Sequence, residues 1–289
     1  MCFCVPNKPQ TFAALIFLVL SLLGMSNSTF VVFHGANEGS HAFVEYLSHC
    51  QHLPIHGEEF LDEHANKILK SNGNLNRLVK SFLDGPKQYE EVATKLNFTR
   101  PMHSIKNSNT QSPFGYGILI RTDHDVICSS PSVTDVWITV RTDLLRYSIS
   151  DYDTVTAGFG HAQFNGEKHI AQHSIDTRIF GENVNKKMQV WKHQIYFATK
   201  VQECGKNVKF VIYEIFEDVQ PSCAELESSH GVHRVHGHRI TDLIANAAEV
   251  IKFVNSGNYP SWGSLLHASK FKVQNDSIWK VGDMPHKGK

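Results

Sequence analysis

The sequence predicts an α/β domain: a three-layer sandwich with a central, mainly parallel sheet. Two observations predict it. Four short runs rich in Val, Ile, Phe and Tyr are separated by longer stretches whose apolar residues recur every three or four positions. Strands that alternate with helices pair in parallel and need both faces of their sheet covered.

Strands are expected at Thr29 to His34, Tyr116 to Arg121, Asp135 to Val140 and Val208 to Tyr213, where β-branched and aromatic residues concentrate. Helices are expected at Ser40 to Cys50, Tyr89 to Leu96, Leu144 to Asp151, Asn183 to Cys204 and Ile240 to Phe253. Gly205 directly follows Cys204 and suits the left-handed residue that ends a helix. The polar stretch "RPMHSIKNSNTQSP" at 100 to 113 reads as a loop. No internal repeat or low-complexity tract is present in the sequence.

With 289 residues, 41% apolar and 19% charged, the chain can bury the core of one sizeable domain. Lys plus Arg and Asp plus Glu both number 28, so no net field directs it toward nucleic acid or an anionic membrane. The 18 histidines would add positive charge in a compartment near their ordinary pKa of about 6.5.

Residues 1 to 26 hold Lys8 followed by the apolar run "TFAALIFLVLSLLGM", a signal peptide or a signal anchor, with a buried first helix as the remaining reading. Gly24 and Ser26 suit cleavage after Ser26, and a strand beginning at Thr29 leaves no stem for an anchor. Either leader sends residues 27 to 289 along the secretory route, to the Golgi lumen or outside the cell, as a soluble or single-pass type II protein. Asn27-Ser28-Thr29, Asn97-Phe98-Thr99 and Asn275-Asp276-Ser277 are glycan acceptor sequences, in keeping with that route. Beyond the leader stand Cys50, Cys128, Cys204 and Cys223, enough for two disulfides in any of three connectivities.

The stretch "FVVFHGANEGSHAFVEYLSHC" at 30 to 50 runs from a strand through a glycine-bearing turn into a helix, a layout whose free N–H groups face an anion. Gly39 lets a ligand approach the backbone, and Ser40 offers a hydroxyl and an N–H. No Lys-Ser or Lys-Thr follows, so this is not a Walker A loop, and a plain α/β connection is the alternative reading. Glu58 and Glu59 follow Gly57; a buried carboxylate there would serve as a general base, a solvated pair would not. Arg141 ends a strand and presents a planar fork to phosphate oxygens, with the Ser150 hydroxyl further along the next helix; an Arg141–Asp143 surface pair is the competing reading.

In order and spacing these segments resemble the sulfotransferase family. Aligning Gly39 with the family's loop glycine places Gly57-Glu58 at its Gly-Glu position without a gap. "VWITVRTDLLRYSISDY" is similar to the element that contacts the nucleotide 3′-phosphate, "VKFVIYEIFEDV" to the strand entering the "YEDL" segment, and "HRITDLIANAAEVIKFVNSGNYPSW" to the C-terminal helix of the bacterial and carbohydrate branches. The likeness spans about residues 29 to 263. It implies a P-loop NTPase-like fold and transfer of a sulfuryl group from 3′-phosphoadenosine-5′-phosphosulfate (PAPS) to a hydroxyl, most naturally of a carbohydrate, without a metal. By the same resemblance Glu58 takes the acceptor proton, the backbone of 37 to 41 with Asn37, Gly39 and Ser40 holds the 5′ end, and Arg141 with Ser150 holds the 3′-phosphate. Arg234, His238 and Arg239 would add positive charge nearby.

The chain departs from that pattern at the loop. Asn37 replaces the family's cation, Glu38 a hydroxyl residue and His41 a second one. The cation stabilises charge on the leaving oxygen, a contribution of several kcal/mol. His41, with His34, would have to supply it as imidazolium in a mildly acidic lumen. A catalytically silent member of the same fold, binding a glycan or protein, is the first rival reading. The second is an α/β metal-binding protein using His230, His233, His236 and His238, although these match no helical i, i+4 pair and have no carboxylate among them. Trp191, Tyr196 and Phe197 are expected in the core rather than on a sugar platform.

Overall fold

A computed structural model describes residues 29–34, 43, 46–47, 55–56, 74–84, 86–96, 114–119, 123–156, 173–219, 240–280 and 282–283. In chain order the elements are β1 (Thr29–His34), β2 (Ile55–His56), α1 (Asn74–Asp84), α2 (Pro86–Lys95), β3 (Phe114–Leu119), α3 (His124–Cys128), β4 (Val133–Val140), α4 (Leu144–Thr156), α5 (Thr177–Glu203), β5 (Asn207–Ile212), α6 (Tyr213–Val219), α7 (Ile240–Leu243), α8 (Ala247–Ser256) and α9 (Trp262–His267). The class is α/β, as the alternation of strands and helices predicts.

All four pairings in the sheet are parallel, in the order β2-β3-β1-β4-β5. The first strand is therefore central, with Val31 opposite Tyr116 on one side and Val136 on the other. Centrality explains its composition: Phe30, Val31, Val32 and Phe33 are all fully buried, because residues of both parities face a covered layer. One face joins Val31, Phe33, Val136, Ile138 and Phe210 to α1, α3 and α5, with Phe33 stacked on Phe197 at 3.8 Å between ring centres. The other face joins Phe30, Val32, Trp137 and Val211 to Phe43, Tyr46, Leu47, Phe216 and Trp279. Phe43, Tyr46 and Leu47 have helical backbone, as expected for the segment after β1.

Several boundaries differ from the sequence reading. β3 begins two residues earlier than expected, at Phe114, because pairing with β1 and β2 holds Gly115 and Gly117 in strand conformation despite their low intrinsic preference. The helix expected at Ile240 to Phe253 is two, α7 and α8, interrupted at 244–246 where Ile244 bridges His173 and Asn246 exchanges two 2.9 Å bonds with the Ile175 backbone. α5 begins six residues earlier than expected, at Thr177, where the Asp176 side chain accepts from Arg178 N and Ile179 N. It ends as expected: Gly205 has φ +86 and stands just beyond the Cys204 cap. Trp191 and Phe197 are core residues, but Tyr196 is 53% exposed, against the expectation, because its position on α5 turns away from the sheet toward His124.

Cys128 at the end of α3 is bonded to Cys204 at the end of α5, one of the pairings the sequence left open. Cys50 and Cys223, and the leader at 1 to 26, lie outside the described residues. No helix among the described residues is long and apolar enough to cross a membrane.

Candidate functional site at the carboxyl ends of β1 and β4

Topology selects the place. From β1 the chain goes to β2, on one side of the sheet, and from β4 it goes to β5, on the other. Neighbouring strands whose connections depart in opposite directions leave a crevice beyond their carboxyl ends, where α/β proteins bind ligands. In this chain that place is beyond the last residues of β1 and β4, His34 and Val140.

The second corner is fully described. Arg141 is 5% exposed, and its guanidinium carbon lies 5.3 Å from the centre of the Tyr213 ring. Arg141 and Tyr213 both follow the parity of Trp137 and Val211, so they stand on the face that Phe43, Tyr46 and Leu47 cover. The Arg141 backbone is pinned from the opposite face: its carbonyl accepts from Trp191 Nε1 at 3.0 Å, and the Thr139 carbonyl accepts from Gln194 Nε2 at 2.9 Å.

Glu214 completes this corner. Its carboxylate accepts from Thr142 N, Thr142 Oγ1 and Asp143 N, each at 3.0 Å. Asp143 accepts from Arg146 N at 3.0 Å and stands 3.5 Å from Arg146 Nε, so it serves the start of α4 and pairs with Arg146. Glu214 thus occupies donors at the mouth of α4 that an external anion would otherwise attract.

A helical wall rises beside the crevice. Trp191 and Gln194 sit level with the end of β4, so the first half of α5 projects roughly 20 Å beyond the strand ends. α4 runs along it: Lys187 Nζ donates to Asp151 at 2.7 Å and lies 4.2 Å over the Tyr147 ring, while Asp176 N donates to Tyr152 Oη at 3.2 Å. Ile149, Tyr152, Ile175, Phe180, Val184, Ile244, Ala247 and Val250 form a separate apolar cluster in this wall. There Asp153 meets His173 at 2.8 Å; burial raises the Asp153 pKa, against the opposing pull of His173.

Of the site residues expected from sequence, His34, Arg141 and Ser150 are described: His34 as the last residue of β1, Arg141 at the end of β4, Ser150 partly buried in the second turn of α4. Asn37, Gly39, Ser40, His41, Glu58, Arg234 and the histidines at 230 to 238 lie outside the described residues. Sequence reasoning assigned no role to Glu214 or Lys187. For Glu214 the only local signal is an acidic residue in the first helical turn after a strand. For Lys187 there is none. Among the described residues the one grouping with metal-ligand spacing is Asp123, His124 and Asp125 at the start of α3, where Asp123 already caps the helix through Asp125 N.

Comparison with family models, with curated proteins and with solved structures returns no match for this chain.

Proposed function

We propose that this is a secretory-pathway, sulfotransferase-like protein with a three-layer, P-loop NTPase-like fold, using PAPS to sulfate a hydroxyl, most naturally of a carbohydrate. The observation that carries the reading is the strand order. With β1 central and β4 beside it, the glycine-bearing stretch at 35 to 41 and Arg141 follow adjacent, parallel strands at the same, carboxyl end of the sheet. A nucleotide with phosphates at both ends of its ribose needs two anion contacts on the same side of the molecule, and a strand order with β1 beside β4 is what that requirement calls for.

The donor set fits such a ligand at the described end. Arg141 directly follows β4, and the planar fork of its guanidinium suits phosphate oxygens. In this reading Arg141 and Ser150 hold the 3′-phosphate, the backbone of 37 to 41 with Asn37, Gly39 and Ser40 holds the 5′ end, and Arg234 adds charge nearby. Glu58 takes the acceptor proton, and His41 as imidazolium supplies the positive charge that Asn37 lacks. PAPS, when bound, supplies the sulfuryl group; no metal takes part. The Cys128–Cys204 bond is compatible with an oxidising compartment.

A second reading, a catalytically silent protein of the same fold, is favoured by one observation: Glu214 already satisfies Thr142 and Asp143 at the mouth of α4. The test is thermal melting with and without 3′-phosphoadenosine-5′-phosphate at about pH 5.5 and about pH 7.5. A ligand at a hundred times its Kd adds about 2.7 kcal/mol, a clear rise in Tm. Absence of any rise at millimolar ligand at both pH values ends the nucleotide reading. A rise without transfer of labelled sulfate to any hydroxyl acceptor selects the silent one.

A further inference from the structure

We infer that Asn275 carries an N-linked glycan, and that the glycan is attached before the C-terminal segment folds onto β5. The inference rests on the secretory part of the proposed function. Asn275 and Asp276 are the exposed central residues of a tight turn from Gln274 to Ser277, closed by Ser277 N donating to Gln274 O at 3.1 Å. The acceptor amide therefore faces solvent. Its partner in the acceptor sequence does not: Ser277 is 3% exposed, and its hydroxyl oxygen accepts from Gln274 N at 2.8 Å.

Those two facts set an order of events. Attachment at Asn-X-Ser depends on the Ser hydroxyl as well as the Asn amide. In the folded chain the hydroxyl is turned inward and the backbone is locked, since the Ser277 carbonyl accepts from Phe210 N at 2.7 Å and Trp279 N donates to Phe210 O at 2.9 Å. The donor is a lipid pyrophosphate-linked oligosaccharide. Asn275 Nδ2 bonds to the anomeric carbon, the bond from that carbon to the pyrophosphate oxygen breaks, the lipid pyrophosphate leaves and the amide proton passes to base. Once attached, the sugar projects from the turn and leaves the Gln274–Ser277 bonds intact.

The position also gives the glycan a physical task. β5 ends the sheet, and its outer edge meets the isolated bridge from Phe210 to Ile278. A sugar three residues before Ile278 shields that edge from pairing with another chain.

The full-length chain, expressed in a secreting eukaryotic cell, is digested and treated with a glycan-releasing amidase in heavy-oxygen water. Conversion of Asn275 to labelled Asp, with loss of one glycan's mass in Asn275→Gln, is expected. An unlabelled Asn275 in protein whose Cys128–Cys204 bond has formed overturns the site while leaving the secretory reading intact; an unlabelled Asn275 with reduced thiols and a retained leader overturns both. For the order, unglycosylated protein, either folded or unfolded in urea and then diluted, is presented to microsomal oligosaccharyltransferase. Several-fold greater modification of Asn275 in the unfolded chain is expected, and equal modification overturns the sequence of events.

Discussion

Glu214 holds Thr142 by two bonds of 3.0 Å, one to its amide and one to its hydroxyl, across 72 residues of chain. This clamp ties the corner after β5 to the corner after β4. Because Arg141 directly precedes Thr142, the same clamp sets where the arginine backbone turns out of the sheet.

Removing the clamp tests its weight. Glu214→Ala leaves the amides of Thr142 and Asp143 without their carboxylate and is expected to cost about 2 to 3 kcal/mol of stability, read from the urea midpoint. Glu214→Gln keeps one good acceptor and loses the charge, so its cost is expected to be about 1 kcal/mol. If the clamp also positions Arg141, both variants weaken 3′-phosphoadenosine-5′-phosphate binding in the same order.

Arg141 itself separates charge from shape. Arg141→Lys keeps a cation but loses the fork and the planar contact with Tyr213, and is expected to weaken the nucleotide about tenfold, or about 1.4 kcal/mol, by calorimetric titration. Tyr213→Leu is expected to cost about 0.5 to 2 kcal/mol through the lost cation–π contact. An unchanged Kd in Arg141→Lys means that the guanidinium does not meet the ligand.

The Cys128–Cys204 bond closes a separation of 76 residues, so on chain-entropy grounds its removal costs up to about 4.5 kcal/mol. Cys128→Ser with Cys204→Ser is expected to lower the Tm by up to about 9 to 18 °C, at about 2 to 4 °C per kcal/mol for a chain of this size or somewhat smaller. A fall of only a degree or two means that the reduced, unfolded chain keeps residual structure around the bond.

Two aspartates give pH slopes of opposite sign. At Asp283 burial opposes ionisation, but bonds from Lys209 Nζ at 2.9 Å and from Lys280 N outweigh it and lower the pKa below 3.8. The folded state therefore gains from ionised Asp283 above the unfolded pKa and loses that gain as pH falls through the lower folded one. Asp153 is shifted up by burial, partly offset by His173. Its contribution is fullest below 3.8 and declines as pH rises through the raised folded value. Urea unfolding across acid pH should show Asp283→Asn removing a stability rise and Asp153→Asn removing a fall.

Much of the fold was legible from local pattern. β1 is so apolar that its limits read off the sequence as they stand in the structure, and β4 and β5 differ from expectation by one or two residues at their ends. Gly205 marked the end of α5 because a left-handed residue is a local requirement. α1 was missed although its apolar residues are periodic, since Asn74, Asn76 and Ser81 dilute the run. β2, with two residues, has no period to detect; it exists because β3 offers it an edge.

The candidate site divides in the same way. Arg141 was visible as a cation at the end of a buried strand, a property of neighbouring residues. Glu214, 72 residues from Thr142, and Lys187, 36 residues from Asp151, were not, because hydrogen-bond partners so distant in sequence leave no periodic trace. By itself the sequence determined the longer, strongly patterned elements, β1, β4, β5 and most of α5 among them, since side-chain spacing dictates which face of each shuns water. Only the tertiary structure decided that β1 lies between β3 and β4, that Cys128 bonds Cys204 and that Glu214 closes the mouth of α4. Each of those is a choice among long-range partners, settled by how the whole core packs and beyond the reach of any local preference.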